Sequence, residues 1–180
     1  PLARVLAAME REGFLVDKEG IESYNDKIST RLEECLHKVY ELAGYEFNLN
    51  SPKQLSEVLF DEDKLNLPHK KKTKSGYSTN AEVLESLRDK HPIINEILEY
   101  RALAKLKSTY CEGLLKVIDN DGRIHSTLNQ TETRTGRISS AEPNLQNIPV
   151  RTEQGRELRR FFVAKEGHLL VDADYSQIEL

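Results

Sequence analysis

The chain has 180 residues, 38% of them hydrophobic and 31% charged, and a formal net charge of −4. That length suits one domain or one domain plus part of another, and the charge excludes a uniformly basic nucleic-acid coat, so local charge must be read instead. Two cysteines, Cys35 and Cys111, stand far apart with no paired Cys or Cys/His spacing, and read as buried thiols in a reducing compartment rather than a disulfide or metal pair.

In chain order, LARVLAAMERE over 2–12 puts Leu2, Val5, Leu6 and Met9 on one helical face, with Gly13 as the stop. The next three residues, FLV, read as a short extended link. Asp17 can cap a helix running to about Ala43, with Ile21, Tyr24, Ile28, Leu32, Cys35, Val39 and Leu42 along it and Gly44 at its end. Ser51 followed by Pro52 is an N-cap and first-turn signal for PKQLSEVLF. The stretch HKKKTKSGYST has no apolar period and reads as a loop. A short helix is expected over 80–88. His91-Pro92 then opens a long one with Ile93, Ile97, Tyr100, Leu103, Leu106, Tyr110 and Leu114 in its stripe, and Asp119 to Gly122 is turn chemistry.

After the turn the pattern changes. RIHSTLNQ reads as a strand. A polar stretch follows, then TEQGRELRR with one or two helical turns, strand-like FFVA, and HLLVDADYS as a buried strand entering a capped turn. The fold class expected is α+β: a mainly helical arm of long antiparallel helices plus an incomplete antiparallel sheet. The expected boundaries are 1–16 for a basal helix and link, 17–120 for the arm, and 121–180 for the sheet-forming part. Missing strands, and a first residue other than Met, suggest a piece of a longer protein.

Three stretches could carry chemistry. From Lys64 to Thr79 there are five lysines and no acid. With Ser75, Gly76, Ser78 and Thr79 they suit a loop that tracks phosphate oxygens, although a solvated charge run is the favoured reading from charge alone. TRTGRISSAEPNLQNIPVR carries Arg134, Arg137, Asn144, Gln146, Asn147 and Arg151. Guanidinium and amide donors can bond base-edge acceptors, and an ordered loop whose Asn and Ser side chains satisfy its own turns is an equal alternative. Asp174 is placed for a divalent cation, but an acid in Asp-Tyr-Ser-Gln also serves as an N-cap, and on spacing alone the cap wins. Tyr175 and Glu179 lie four apart, on one face of a following helix.

TGRISSAEPNLQNIPVRT and DADYSQIEL, with KLKSTY and KKTKSGYST ahead of them, resemble signature blocks of the family A DNA polymerases, the bacterial DNA polymerase I type. The resemblance runs the length of the chain. It implies a DNA-directed DNA polymerase in replication and repair, a nucleotidyltransferase whose thumb and first part of the palm lie here. The thumb tip, near 69–79, would lie on the duplex backbone through Lys71, Lys72, Lys74, Ser75, Gly76, Tyr77, Ser78 and Thr79. Asn48, Asn50, Ser51 and Lys105 would add backbone contacts. Arg137 would reach the minor groove at the primer end, with Arg134, Asn144, Gln146 and Asn147 at the same duplex and Arg151 positioning the primer strand.

By the same resemblance Asp174 is the catalytic carboxylate and, with the Tyr175 carbonyl, a ligand of two Mg²⁺ ions. Tyr175, Gln177 and Glu179 would face the incoming dNTP, Glu179 leaving no room for a 2′-hydroxyl. Asp172 is given a structural role. Primer–template DNA and dNTP are the implied partners, with no membrane and no obligate protein partner, in the bacterial cytoplasm at the nucleoid. The family's second metal-binding Asp and its fingers helix do not occur in these 180 residues, so the chain by itself is expected to be inactive. The rival readings are a stand-alone, non-catalytic duplex-binding module and a helical protein-interaction domain.

Overall fold

The computed structural model describes residues 1–69, 72–73, 76–150 and 152–176. In chain order its elements are α1 (Leu2–Glu12), β1 (Phe14–Leu15), α2 (Lys18–Ala43), α3 (Pro52–Phe60), β2 (Lys72–Thr73), β3 (Gly76–Tyr77), α4 (Ala81–Glu85) and α5 (Ile93–Lys105). A π-helical segment, Leu106–Cys111, leads into α6 (Glu112–Leu115), followed by β4 (Arg123–Ile124), β5 (Thr127–Asn129), β6 (Ser139–Ala141), a 3₁₀ turn at Leu145–Asn147 and α7 (Glu153–Arg159). The architecture is α+β, with three two-stranded antiparallel pairs, β1–β4, β2–β3 and β5–β6, among the described residues. The chain divides into two compact units, one of residues 26–107 and one of residues 1–25 with 108–180. The first is shorter at both ends than the arm expected over 17–120.

In the unit 26–107, the core gathers Val39, Leu49, Leu55, Val58, Leu59, Phe60, Leu67, Leu84, Leu87, Ile93, Ile94 and Ile97. Ser51 caps α3 by accepting from the Gln54 N–H, with Pro52 at the first helical position where no amide hydrogen is needed. Asn80 caps α4 in the same way, through the Val83 N–H at 2.9 Å. α2 and α5 run in opposite senses: Arg31 meets Glu99 and, further along α2, Lys38 meets Glu96. The Arg31 guanidinium grips Glu99 with both arms, Nε to Oε1 at 2.7 Å and Nη2 to Oε2 at 2.9 Å. This bidentate bond holds the Glu99 carboxyl below its usual range. Cys35 lies buried beside the pair, and burial pushes its thiol up to about 11.

In the other unit, β1 pairs with β4 in the register Phe14↔Ile124 and Leu15↔Arg123. Gly13 sits at φ 61°, and a Cβ there would stand 2.7 Å from the Ile124 carbonyl oxygen, so glycine is required for both the turn and the close approach. The His125 ring meets the Glu10 carbonyl through Nδ1 at 2.8 Å and Asp121 Oδ2 through Nε2 at 3.2 Å. Glu10 also accepts the Leu128 N–H, at 2.6 Å. These bonds tie the end of α1 to the strands beside it.

Several expectations are corrected. HKKKTKSGYST contains a β-hairpin rather than only a loop. The helix expected over 80–88 stops at Glu85. RIHSTLNQ is two strands, because the chain turns at His125-Ser126 and β4 and β5 take different partners. FFVA contributes a single bridge, Val16↔Phe162. HLLVDADYS is not a buried strand: 168–175 has no ladder partner among the described residues, and Leu169 is 87% and Val171 86% exposed. A strand needs a neighbour for its amides and cover for its apolar face, and neither adjoins this segment.

Candidate nucleic-acid interface

The hairpin β2–β3 is seated on α3. The Tyr77 N–H donates to Ser56 Oγ at 2.8 Å, and Gly76, at φ 113°, lies so close that a Cβ would be 2.9 Å from the same oxygen. The Tyr77 ring meets Phe60 edge-on at 5.5 Å between centroids and His69 at 3.9 Å. Thr79 is turned inward at 7% exposure, and its carbonyl accepts from Arg101 Nη1. Tyr77 and Thr79 therefore root the hairpin, with Gly76 and Ser78 half-buried beside them. Lys72 pairs with Tyr77 through its backbone. Lys71, Lys74 and Ser75 lie outside the described residues.

In the same unit, Asn48, Asn50 and Ser51 form the entry to α3. Asn48 Oδ1 accepts the Asn50 N–H at 3.0 Å, the Asn48 N–H is taken by Gln54 Oε1 at 2.7 Å, and Asn50 Nδ2 donates to the Tyr100 hydroxyl. Asn48 and Asn50 stay exposed despite these bonds, and Lys105 is exposed at the end of α5.

The second group belongs to the other unit. The β5–β6 hairpin, with Thr127↔Ala141, Leu128↔Ser140 and Asn129↔Ser139 opposite each other, carries Arg134 and Arg137 in its exposed connection. Thr133 Oγ1 closes that connection on the Arg137 carbonyl at 2.6 Å. Beyond β6 the chain is pinned by a buried hydroxyl pair, Ser126 and Ser140, 2.6 Å apart. Ser126 also reaches the Ala141 and Pro143 carbonyls, and Ser140 accepts the Leu145 N–H at 3.1 Å.

Gln146 Nε2 donates to the Ile138 carbonyl at 2.9 Å while its Oε1 accepts the Ser140 N–H at 3.2 Å; Asn144 Oδ1 accepts the Gln146 N–H. The Tyr110 hydroxyl donates to the Asn147 carbonyl at 2.6 Å. Asn144, Gln146 and Asn147 are thus held on one short, exposed, hydrogen-bonded turn.

Sequence reasoning named the outward residues of this turn and missed Ser126, Ser140 and Tyr110, which hold it. Small hydroxyl residues at inward positions of a strand are the signal that could have found the serine pair.

Asp174 and Tyr175 are exposed and outside any regular element, Tyr175 at 78%. The strand-tip setting expected for Asp174 is therefore corrected. Gln177, Glu179 and Arg151 lie outside the described residues. Among the described residues the one cluster of three metal-capable side chains is Cys35, Glu96 and Glu99, away from Asp174 in sequence and in the other unit. Glu99 there is already engaged by Arg31. Asp174 and the Tyr175 carbonyl supply two oxygens, short of the set a magnesium ion takes. No described helix is long and apolar enough to cross a membrane.

The fold matches part of a polymerase domain. It superposes with TM-score 0.83 on the Pol domain of Mycobacterium smegmatis Pol1, solved with DNA primer-template and dNTP, at 47% identity over 98% of this chain and 31% of that one. The chain belongs to DNA polymerase family A, whose sequence model matches residues 18–180. Over its whole length it is 55% identical to DNA polymerase I of Geobacillus stearothermophilus and 52% identical to DNA polymerase I of Caldicellulosiruptor bescii. It spans 20% and 21% of those two proteins.

Proposed function

We propose that this chain is the duplex-gripping part of a DNA-directed DNA polymerase, the thumb over about 17–120 and the first part of the palm over 121–180. The observation that carries the reading is the family membership, with 47% identity to a domain solved on primer-template and dNTP. The partners are primer–template DNA and an incoming dNTP, and the setting is the bacterial cytoplasm at the nucleoid.

In this reading the lysine-bearing hairpin, Lys71, Lys72 and Lys74 with Ser75, Gly76 and Ser78, lies along phosphate oxygens. Tyr77 and Thr79 anchor it from below. Asn48, Asn50, Ser51 and Lys105 add backbone contacts. Phosphate contacts position the protein without reading sequence, as a template-copying enzyme requires. Arg134, Arg137, Asn144, Gln146 and Asn147 offer donors to the minor groove, where A·T and T·A pairs present alike placed acceptors. Arg151 positions the primer strand. Rigid support matters here, because a donor turn held by its own hydrogen bonds meets a groove with little ordering left to do.

Asp174, with the Tyr175 carbonyl, would hold Mg²⁺, which when bound activates the primer 3′-hydroxyl and stabilises charge on the departing pyrophosphate. Gln177 and Glu179 would face the dNTP. One carboxylate offsets a quarter of the charge of two such ions, so the chain alone gives no primer extension.

The test is fluorescence anisotropy with a labelled primer–template. Replacing Lys71, Lys72 and Lys74 together by alanine is expected to weaken binding at least about tenfold at low salt. Unchanged affinity would contradict the reading.

A further inference from the structure

We propose that Tyr110 is a positioning residue for Asn147, the last donor of the turn: the π-helical segment after α5 aims its hydroxyl at the Asn147 carbonyl. The proposal rests on the reading of that turn as a duplex contact.

A continuous α-helix from Ile93 would bury Leu103, Leu106, Tyr110 and Leu114, as the sequence stripe predicts. The structure buries Leu103, Leu106, Cys111 and Leu114 instead. The step from Leu106 to Cys111 is five residues, one π-helical turn, and Leu106–Cys111 is π-helical. An inserted residue rotates everything beyond it by roughly a third of a turn. Cys111 therefore takes the inward place that Tyr110 would have held. Tyr110 is left half-buried, with its hydroxyl 2.6 Å from the Asn147 carbonyl.

That bond anchors the turn from outside its own hairpin. The other bonds to this turn come from its own hairpin side, through Ser126, Ser140 and the Gln146 amide. Those bonds hold Asn144 to Gln146 against β6. Asn147, at the far end of the 3₁₀ turn, takes its bond from a different element altogether. A π-turn places one extra residue in a helix at a cost in hydrogen-bond geometry, and such turns recur at functional sites. Here the return is a fixed position for the last donor of the turn.

A double-mutant cycle on the 180-residue chain tests this, with Tyr110→Phe and Asn147→Ala and a labelled primer–template as probe. Asn147→Ala removes the donor and keeps the carbonyl. Tyr110→Phe alone is expected to weaken binding roughly three- to tenfold, the range of one hydrogen bond. In the Asn147→Ala background the same change is expected to cost less than about twofold, because Tyr110 then has no donor to position.

Additive losses, or no loss on Tyr110→Phe while Asn147→Ala weakens binding, would overturn this proposal alone. No loss on Asn147→Ala would overturn the reading of the turn and this proposal with it. Amide exchange in the DNA-free chain is the second measurement: at Asn147 it should quicken several-fold in Tyr110→Phe while Leu145 and Gln146, held by Ser140 and Asn144, stay unchanged, and unchanged exchange at Asn147 would also overturn the proposal.

Discussion

The unit 26–107 and the unit of 1–25 with 108–180 differ in what they leave exposed. The first closes a twelve-residue apolar core, and among its described residues Tyr45 is the one large hydrophobic side chain left exposed. The second buries Leu6, Val16, Ile21, Ile124, Ile148 and Leu158 but exposes Leu2, Val5, Met9, Phe14, Val117, Val150, Leu169, Leu170, Val171 and Tyr175, and adds polar clasps around Ser126, Ser140, His125 and Gln146. Burial is non-directional and fixes an element's existence; hydrogen bonds are directional and fix its aim. Burial dominates in the unit 26–107, and hydrogen bonds set the positions of Asn144, Gln146 and Asn147 in the other.

The comparison can be broken first in the core. Phe60, fully buried and packed against Tyr77, should cost about 3–5 kcal/mol on replacement by alanine. Urea unfolding followed by amide exchange should show the loss within 26–107, and a loss of under about 1 kcal/mol would mean the core is not what holds this unit.

A smaller effect is expected at the hydroxyl pair. Ser126→Ala takes a donor from the part-buried Ala141 and Pro143 carbonyls and breaks the buried hydroxyl pair with Ser140, at a cost of about 1–2 kcal/mol. Amide exchange at Leu145 reads it directly.

The His125 clasp should show as pH dependence. The Glu10 carbonyl first, then Asp121, raise the His125 pKa above the ordinary imidazole value. Its contribution is thus complete below about 6.5, the unfolded value, and fades as pH rises through the higher folded one. The stability gap between the parent chain and His125→Asn should narrow as pH rises above about 6.5. A gap that widened there would reverse the assignment. Least of all should Leu170→Ser matter: at an exposed position with no ladder partner, it should stay within about 0.5 kcal/mol.

The same division explains what was legible in the sequence. Apolar spacing and caps gave α1, α2 and α3 nearly to the residue, because Gly13, Gly44 and Ser51-Pro52 are local signals. The polar run over 144–147, on which the structure leaves Asn144, Gln146 and Asn147 exposed, was legible as a turn-forming stretch. The π-turn was not, because one inserted residue leaves no local signature and shows only when Cys111 replaces Tyr110 in the stripe. LLVDAD misled for a tertiary reason: an apolar run announces a strand, but its amides need a neighbour, and none pairs with it among the described residues.

The central claim, that the chain grips primer–template through its basic tip and donor turn, is tested most directly by the salt dependence of its duplex affinity. With roughly four phosphates neutralised, log affinity against log salt should fall with a slope near −3.6. A flat dependence, or no duplex binding at low salt, would contradict the account.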